Sequence, residues 1–247
     1  MSNSEQISLF DLDPTPEPQK PQKPEKSKPA EAAIAPESTV SAVSAAIYAN
    51  LDELKAEAIA CQKCPLAATR INVVVERGNR EAKIMIIGEG PGQNEDEQGL
   101  PFVGKAGQLL DKILASVGLD EQDVFIANIV KCRPPGNRVP TDEEVAACKP
   151  YLLEQIRLVD PKIILLTGAT AVKAITGDKT GITKIRGQWM EWEGRLVMPI
   201  LHPAYLLRNA SREEGSPKWL MWQDIQAIKS KYLEFIAESP SVEEEEF

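Results

Sequence analysis

The sequence predicts a three-layer α/β/α sandwich with a central four-stranded parallel sheet, and three observations carry that expectation. Four short, continuous apolar runs recur along the chain, turn residues bound each of them, and helix-like segments lie between them. Apolar runs of this length without alternation read as strands buried on both faces, and strands alternating with helices read as parallel crossovers. In such sheets the functional groups sit just beyond the carboxyl ends of the strands.

The elements follow in order. A helix-like stretch covers 46–60 and ends at Cys61. The strands are KIMIIG (83–88), VFIANIV (124–130), KIILLTG (162–168) and RLVMPIL (195–201). Helices are expected at 104–117, at 141–158 after the start signal Pro140-Thr141-Asp142-Glu143, at 168–176 and, as a final amphipathic helix, at 217–237. The loops to search for chemistry are therefore 88–104, 128–140, 168–170 and 201–212.

Composition separates this body from two tails. Residues 1–45 hold seven of the nineteen prolines, seven acids and four bases, and are expected to be a disordered tail. Residues 238–247, ESPSVEEEEF, hold five acids and no base, and read as a solvated acidic tail. Of the overall charge of −9, the body 46–237 carries only −1, with 25 acids against 24 bases, so a basic face for nucleic acid stays open. No apolar run approaches the roughly 20 residues that span a bilayer. The start, MSNSEQISLF, has neither a basic n-region nor a long apolar h-region. A membrane protein and a conventional secreted protein are excluded, and the chain is expected to be cytoplasmic and monomeric.

Four cysteines in 247 residues are too few for a disulfide scaffold. Cys61 and Cys64 form C-x-x-C before the first strand, Cys132 follows the second strand, and Cys148 lies in the next helix. One four-thiolate site accounts for every cysteine, and such a site suits tetrahedral zinc or an iron–sulfur cluster; the spacing does not choose. A disulfide-exchange role would need C-x-x-C at a helix N-terminus after a strand, which this chain lacks.

The loop after the first strand, Gly88-Glu89-Gly90-Pro91-Gly92, has three glycines, but G-x-G-x-x-G fails at Gln93. Glu89, Glu95, Asp96 and Glu97 would also repel a phosphate, which weakens a nucleotide-binding reading. Phe102, between Pro101 and Gly104, is either a stacking platform or a core plug. Asn128, amid apolar neighbours, is either a structural clamp or the reader of a ligand with one donor and one acceptor, for which a uracil-like edge is well suited. His202, the only histidine, stands at the end of the fourth strand.

Three segments, GEGPGQNEDEQGLPFVGKAGQLL (88–110), NIVKCRPPGNR (128–138) and HPAYLLR (202–208), together with the four cysteines, resemble the family 4 uracil-DNA glycosylases, the iron–sulfur members of their superfamily. The resemblance covers about 46–235. It implies a [4Fe–4S] cluster on Cys61, Cys64, Cys132 and Cys148, and hydrolytic removal of uracil from DNA to leave an abasic site. The implied uracil pocket is Glu89, Gly90, Phe102, Asn128 and His202. Phe102 would stack on the base, Asn128 would pair with O4 and N3–H, and His202 would donate to O2 as the uracil anion departs. Asn137 and Glu89 are the implied water-orienting residues, with Glu95 as an outside candidate. Leu206, Leu207 and Arg208 resemble the wedge and phosphate clamp that follow the histidine. Lys131, Arg133 and Arg138 are expected on a DNA-facing surface beside the cluster.

Two alternatives share parts of this pattern. A relative that traps uracil-DNA covalently carries an extra basic loop with a histidine, whereas here Phe102-Val103-Gly104-Lys105 runs straight into a helix. A non-catalytic iron–sulfur module that binds DNA would share the cysteines and differ in releasing no uracil. Finally, Gln6-Ile7-Ser8-Leu9-Phe10 resembles the pentapeptide by which bacterial repair proteins bind the sliding clamp. Its apolar Leu9-Phe10 pair would act as anchor, with a Pro-rich spacer behind it.

Overall fold

The computed structural model describes residues 48–209 and 211–238. The expected N-terminal tail with its Gln6–Phe10 motif, and the acidic residues 239–247, lie outside the described residues. The four apolar runs become β2 (Ile84–Gly88), β3 (Val124–Asn128), β4 (Ile163–Thr167) and β6 (Arg195–Ile200), mutually parallel in the order β3-β2-β4-β6. Every residue of β2, β3 and β4 is buried, as their unbroken apolar sequences require.

The sheet is not purely parallel, however. Among the described residues it has six strands: β1 (Arg77–Gly78) pairs antiparallel with β3, and β5 (Met190–Trp192) pairs antiparallel with β6. Two or three residues are too few to show a period, so these edges leave no pattern in the sequence. The β5–β6 hairpin turns on Glu193 and Gly194, whose φ values of 48° and 74° are the positive pair that a two-residue turn between antiparallel strands favours.

Helices cover both faces. On one lie α1 (Leu51–Ala60), α4 (Asp142–Val159) and α5 (Ala169–Thr176), whose Leu54, Leu152, Ile156 and Val172 pack with Met85, Ile87, Phe125 and Leu166 in one core. Strand residues alternate in direction, so Ile84, Ile86, Ile126 and Leu165 serve the opposite face. There α3 (Lys105–Ala115) contacts both α7 (Pro203–Arg208) and α8 (Pro217–Glu238). Two short helices, α2 (Gln93–Gln98) and α6 (Ile182–Ile185), complete the α-helices among the described residues. Capping residues start the main helices. Asn50 accepts from the N–H groups of Asp52 and Glu53, and Thr141 with Glu144 forms a reciprocal capping box. Among the described residues no helix is long and apolar enough to cross a membrane.

The consequence for function is positional. The carboxyl ends of all four parallel strands, at Gly88, Asn128, Thr167 and Ile200, open on the same edge of the sheet, and the strand order reverses at β2.

Candidate active site and thiol site

Gly88 ends β2 where a side chain would not fit. A Cβ there would stand 2.4 Å from Asn128 Oδ1 and 2.6 Å from the Phe102 ring. This glycine therefore lets the amide and the ring approach the strand end from β3 and from the following loop.

The acidic stretch after Gly92 forms α2, and two of its carboxylates are structural clasps. Glu95 accepts from Gly92 N–H at 3.1 Å, Val103 N–H at 3.0 Å and Gly104 N–H at 2.7 Å. Buried Asp96 accepts from Ile71 N–H at 2.9 Å and Asn72 N–H at 3.2 Å. Glu95, the outside candidate for orienting water, also lines the cleft, with one backbone donor on Oε2 and two on Oε1.

Phe102 follows in a left-handed conformation, φ 56°, which a bulky residue rarely adopts. Its carbonyl accepts from Arg77 Nη1 at 2.8 Å, and Arg77 in turn pairs with Asp111. Behind it lies Gly107 of α3, where a Cβ would come 1.8 Å from the Phe102 carbonyl oxygen. Held this way, the Phe102 ring stacks on His202, with centroids 5.9 Å apart and planes at 25°.

His202 caps α7, its Nδ1 accepting from Ala204 N–H at 3.1 Å. The neutral ring must therefore carry its proton on Nε2. Burial, reinforced by Arg208, pushes the His202 pKa down to about 4 against an opposing pull from Glu95, so the ring is neutral at pH 7. Glu89 is half-buried and accepts from Thr170 Oγ1 at 2.6 Å. Asn137, with φ 55°, accepts from Arg133 Nε at 2.7 Å through Oδ1, which leaves its NH2 group to donate.

Glu89, Gly90, Phe102, Asn128, Asn137 and His202 all line one cleft of about 420 Å³ at the carboxyl edge of the sheet. Leu206 and Arg208 do not. Leu206 is fully buried where α7 packs on α3, so its part in the wedge expectation is corrected; Leu207, the other leucine of that expectation, and Tyr205 are each 36% exposed. Arg208 is exposed on the last turn of α7. Of the basic stretch, Lys131 is corrected, because it is buried. Arg138 is exposed, lines the cleft and forms a fork with Glu144 at 2.7 and 2.8 Å, and half-buried Arg133 donates to Asn137. Arg77, Gly107 and Thr170 had no assigned role from sequence, and Lys131 had one only as a DNA-facing residue. Only Gly107 carried a signal, as an isolated glycine inside a helical pattern.

The four cysteines line a second cavity, with Arg70, Lys63 and Tyr151. None forms a disulfide. Three sulfurs accept N–H groups: Cys61 from Lys63 N–H at 3.4 Å, Cys132 from Arg70 Nη1 at 3.4 Å, and Cys148 from Lys131 N–H at 3.3 Å. Burial pushes the Cys148 thiol up to about 11 and raises Cys132 as well. Among the described residues, no group of three ligating side chains is arranged to hold a single metal ion.

Sequence comparison bears on both sites. The profile of the uracil DNA glycosylase superfamily matches residues 75–226. That span includes every cleft residue named above together with Cys132 and Cys148, while Cys61 and Cys64 precede it. The Type-4 uracil-DNA glycosylase of Thermotoga maritima is 47% identical over 183 residues, 73% of this chain and 94% of that protein. The Type-4 enzyme of Pyrobaculum aerophilum is 51% identical over 161 residues, 60% of this chain and 80% of its own length. That of Sulfurisphaera tokodaii is 44% identical over 169 residues, 65% of this chain and 77% of its own length. With a profile match over more than half its length and relatives aligned over most of theirs, this chain belongs to the uracil DNA glycosylase superfamily, in its type-4 branch.

Proposed function

We propose that this chain excises uracil from DNA by hydrolysing the N-glycosidic bond, leaving an abasic site. The observation that carries the reading is the placement of His202 in the cleft with Nδ1 held by Ala204 N–H. With Nδ1 taken by Ala204 and the ring neutral, Nε2–H is a fixed donor in the cleft that Asn128 and Phe102 also line. A duplex buries the bond to be broken, so the nucleotide must leave the stack before it can enter a cleft of this size. Phe102 then covers one face of the pyrimidine. The Asn128 amide donates to O4 and accepts from N3–H, a pairing that cytosine, with its exchanged donor and acceptor, cannot make.

In the reaction the C1′–N1 bond breaks, its electron pair leaves with uracil, and water supplies the oxygen that bonds to C1′. His202 Nε2–H donates to O2 as negative charge gathers there. The sugar is cationic at that point, so the water needs orientation more than deprotonation. The Glu89 carboxylate, steadied by Thr170, and the Asn137 NH2 group are suited to provide it. Leu207 is suited to fill the space that the extruded base leaves.

The four thiols fit a [4Fe–4S] cluster. The donor set is all sulfur, it lines one cavity, and N–H groups donate to three of its members, as is usual for cluster sulfurs. When bound, the cluster supplies a cross-link between the segment before the sheet and the β3–α4 region. The Gln6–Phe10 motif supports, by its sequence alone, a tether to the sliding clamp. A peptide of residues 1–14 should bind the clamp, and Leu9→Ala with Phe10→Ala should abolish that binding.

The test of the main reading is release of free uracil from a uracil-containing oligonucleotide, with alkali-labile strand breaks appearing in parallel. A brown, iron- and sulfide-containing protein that binds such DNA but releases no uracil would instead be a binding module.

A further inference from the structure

Lys131 is among the most deeply buried side chains of the protein, at 1% exposure. Removing an ammonium from water costs several kcal/mol unless hydrogen bonds replace its hydration, and an apolar side chain would fill the same volume without that cost. The partners of this ammonium are neutral oxygens: the Asn128 carbonyl at 2.9 Å and Gln155 Oε1. Gln155 is fully buried and is itself fixed, donating from Nε2 to the Val75 carbonyl at 3.0 Å. The Lys131 backbone is held equally firmly. Its carbonyl accepts from Val74 N–H at 2.8 Å and its N–H donates to Cys148 Sγ at 3.3 Å. At the other end of this network Asn128 closes β3, two residues beyond Ile126, the last β3 residue that β1 pairs, with its Oδ1 lying close over Gly88.

We propose that Lys131 is a positioning residue for base recognition: its buried ammonium fixes the Asn128 carbonyl, and with it the amide that reads the uracil edge, to the framework formed by Gln155 and the Val74–Val75 backbone. This rests on the glycosylase reading of the cleft and goes beyond it by assigning a residue that touches no substrate. An amide that must present one donor and one acceptor to a base tolerates little displacement, and an anchored backbone carbonyl fixes the peptide at Asn128 and so the direction of the Cα–Cβ bond from which the amide projects. Gly88 limits that displacement from the side. After Asn128 the chain stays beside β2 for two residues, Ile129 N–H donating to the Gly88 carbonyl at 2.9 Å and Val130 N–H to the Glu89 carbonyl at 3.2 Å, and the Lys131 ammonium is the side-chain tie on the Asn128 carbonyl itself.

The experiment is a double-mutant cycle on the full-length, cluster-loaded protein with Lys131→Met, Asn128→Ala and the pair. Single-turnover uracil release is read with enzyme in excess, with iron content and DNA affinity read in parallel. A misplacement of about 1 Å at a reacting centre costs on the order of 100-fold in rate. Lys131→Met is therefore expected to slow release by roughly 10- to 100-fold, with DNA affinity and iron content retained. In the Asn128→Ala background the same change should cost less than about twofold, because the group through which it acts is already gone. Equal losses in both backgrounds would overturn the proposal, since a merely structural lysine weakens every background alike. Should Lys131→Met lose iron, Gln155→Leu goes through the same cycle. It removes the ammonium's second acceptor and leaves the residues flanking the cysteines untouched. A smaller, non-additive loss is then expected, and no loss or an additive one would refute the role. Failure of the wild-type protein to release uracil would instead overturn the glycosylase reading itself.

Discussion

Gly107→Ala is the most incisive single-methyl test of how the cleft is built. A Cβ at position 107 would lie 1.8 Å from the Phe102 carbonyl oxygen and 2.0 Å from its carbonyl carbon. Restoring an ordinary contact of 3.4 Å requires the Phe102 backbone to retreat by about 1.6 Å. The backbone has no easy retreat, because its φ of 56° is already unusual and Arg77 holds the carbonyl. The strain of such overpacking is about 1–3 kcal/mol. It is partly offset by the roughly 1 kcal/mol by which alanine favours a helix interior over glycine. Net stability should therefore fall by about 2 kcal/mol or more, read as a lowered melting temperature. Activity is the more sensitive readout. A shift of more than 1 Å in the ring that covers the base costs on the order of 100-fold, so single-turnover uracil release should slow by about that factor while iron content stays unchanged. Gly118→Ala is the control. Unlike Gly107, Gly118 has a positive φ, 69°, and no atom stands within 4 Å of its Cβ position, so the change should lower stability by about 1 kcal/mol and leave the rate alone. A Gly107→Ala protein that excises uracil within about threefold of wild type would refute the idea that α3 sets the position of Phe102.

Three further outcomes follow from the same geometry. His202→Ala should lower the single-turnover rate by roughly 10²–10³, the usual scale for one oxyanion donor, with a smaller effect on DNA binding. Because the folded His202 pKa of about 4 lies below the roughly 6.5 of an unfolded chain, its contribution to stability is fully present above pH 6.5 and is lost as pH falls toward 4. The excision rate should accordingly be free of a histidine inflection between pH 8 and about 5.5, and an inflection near 6.5 would show that the ring is not held neutral. Thr170→Val removes the hydroxyl on Glu89 at nearly constant volume and should slow release by about 3- to 10-fold, the worth of one hydrogen bond; an unchanged rate would remove Glu89 from the water-orienting role. Cys64→Ala should yield protein poor in iron with a lowered melting temperature, and a soluble, fully active variant melting like wild type would disprove a structural cluster.

What the sequence by itself determined was every feature that depends on neighbours along the chain. KIMIIG, VFIANIV, KIILLTG and RLVMPIL are apolar without alternation, so each had to be a strand buried on both faces, and the helices between them made those strands parallel. The residues at or just beyond the carboxyl ends of these strands, Glu89, Asn128 and His202, were thereby bound to meet at one edge of one sheet. The tertiary structure alone decided what those residues are free to do. Glu95 and Asp96 read as exposed repulsive charge because nothing local reveals that Val103, Gly104, Ile71 and Asn72 will turn their N–H groups toward them. Leu206 and Leu207 are indistinguishable as letters, and only the packing of α7 on α3 buries the first and exposes the second. Lys131 reads as a DNA contact within a basic run, yet Gln155, twenty-four residues further on, supplies the acceptor that makes its burial tolerable. Periodicity records which side chains seek burial. Which polar groups are satisfied there depends on partners distant in sequence, and in this protein those partners fix the histidine tautomer, the strained phenylalanine and the amide at the end of β3.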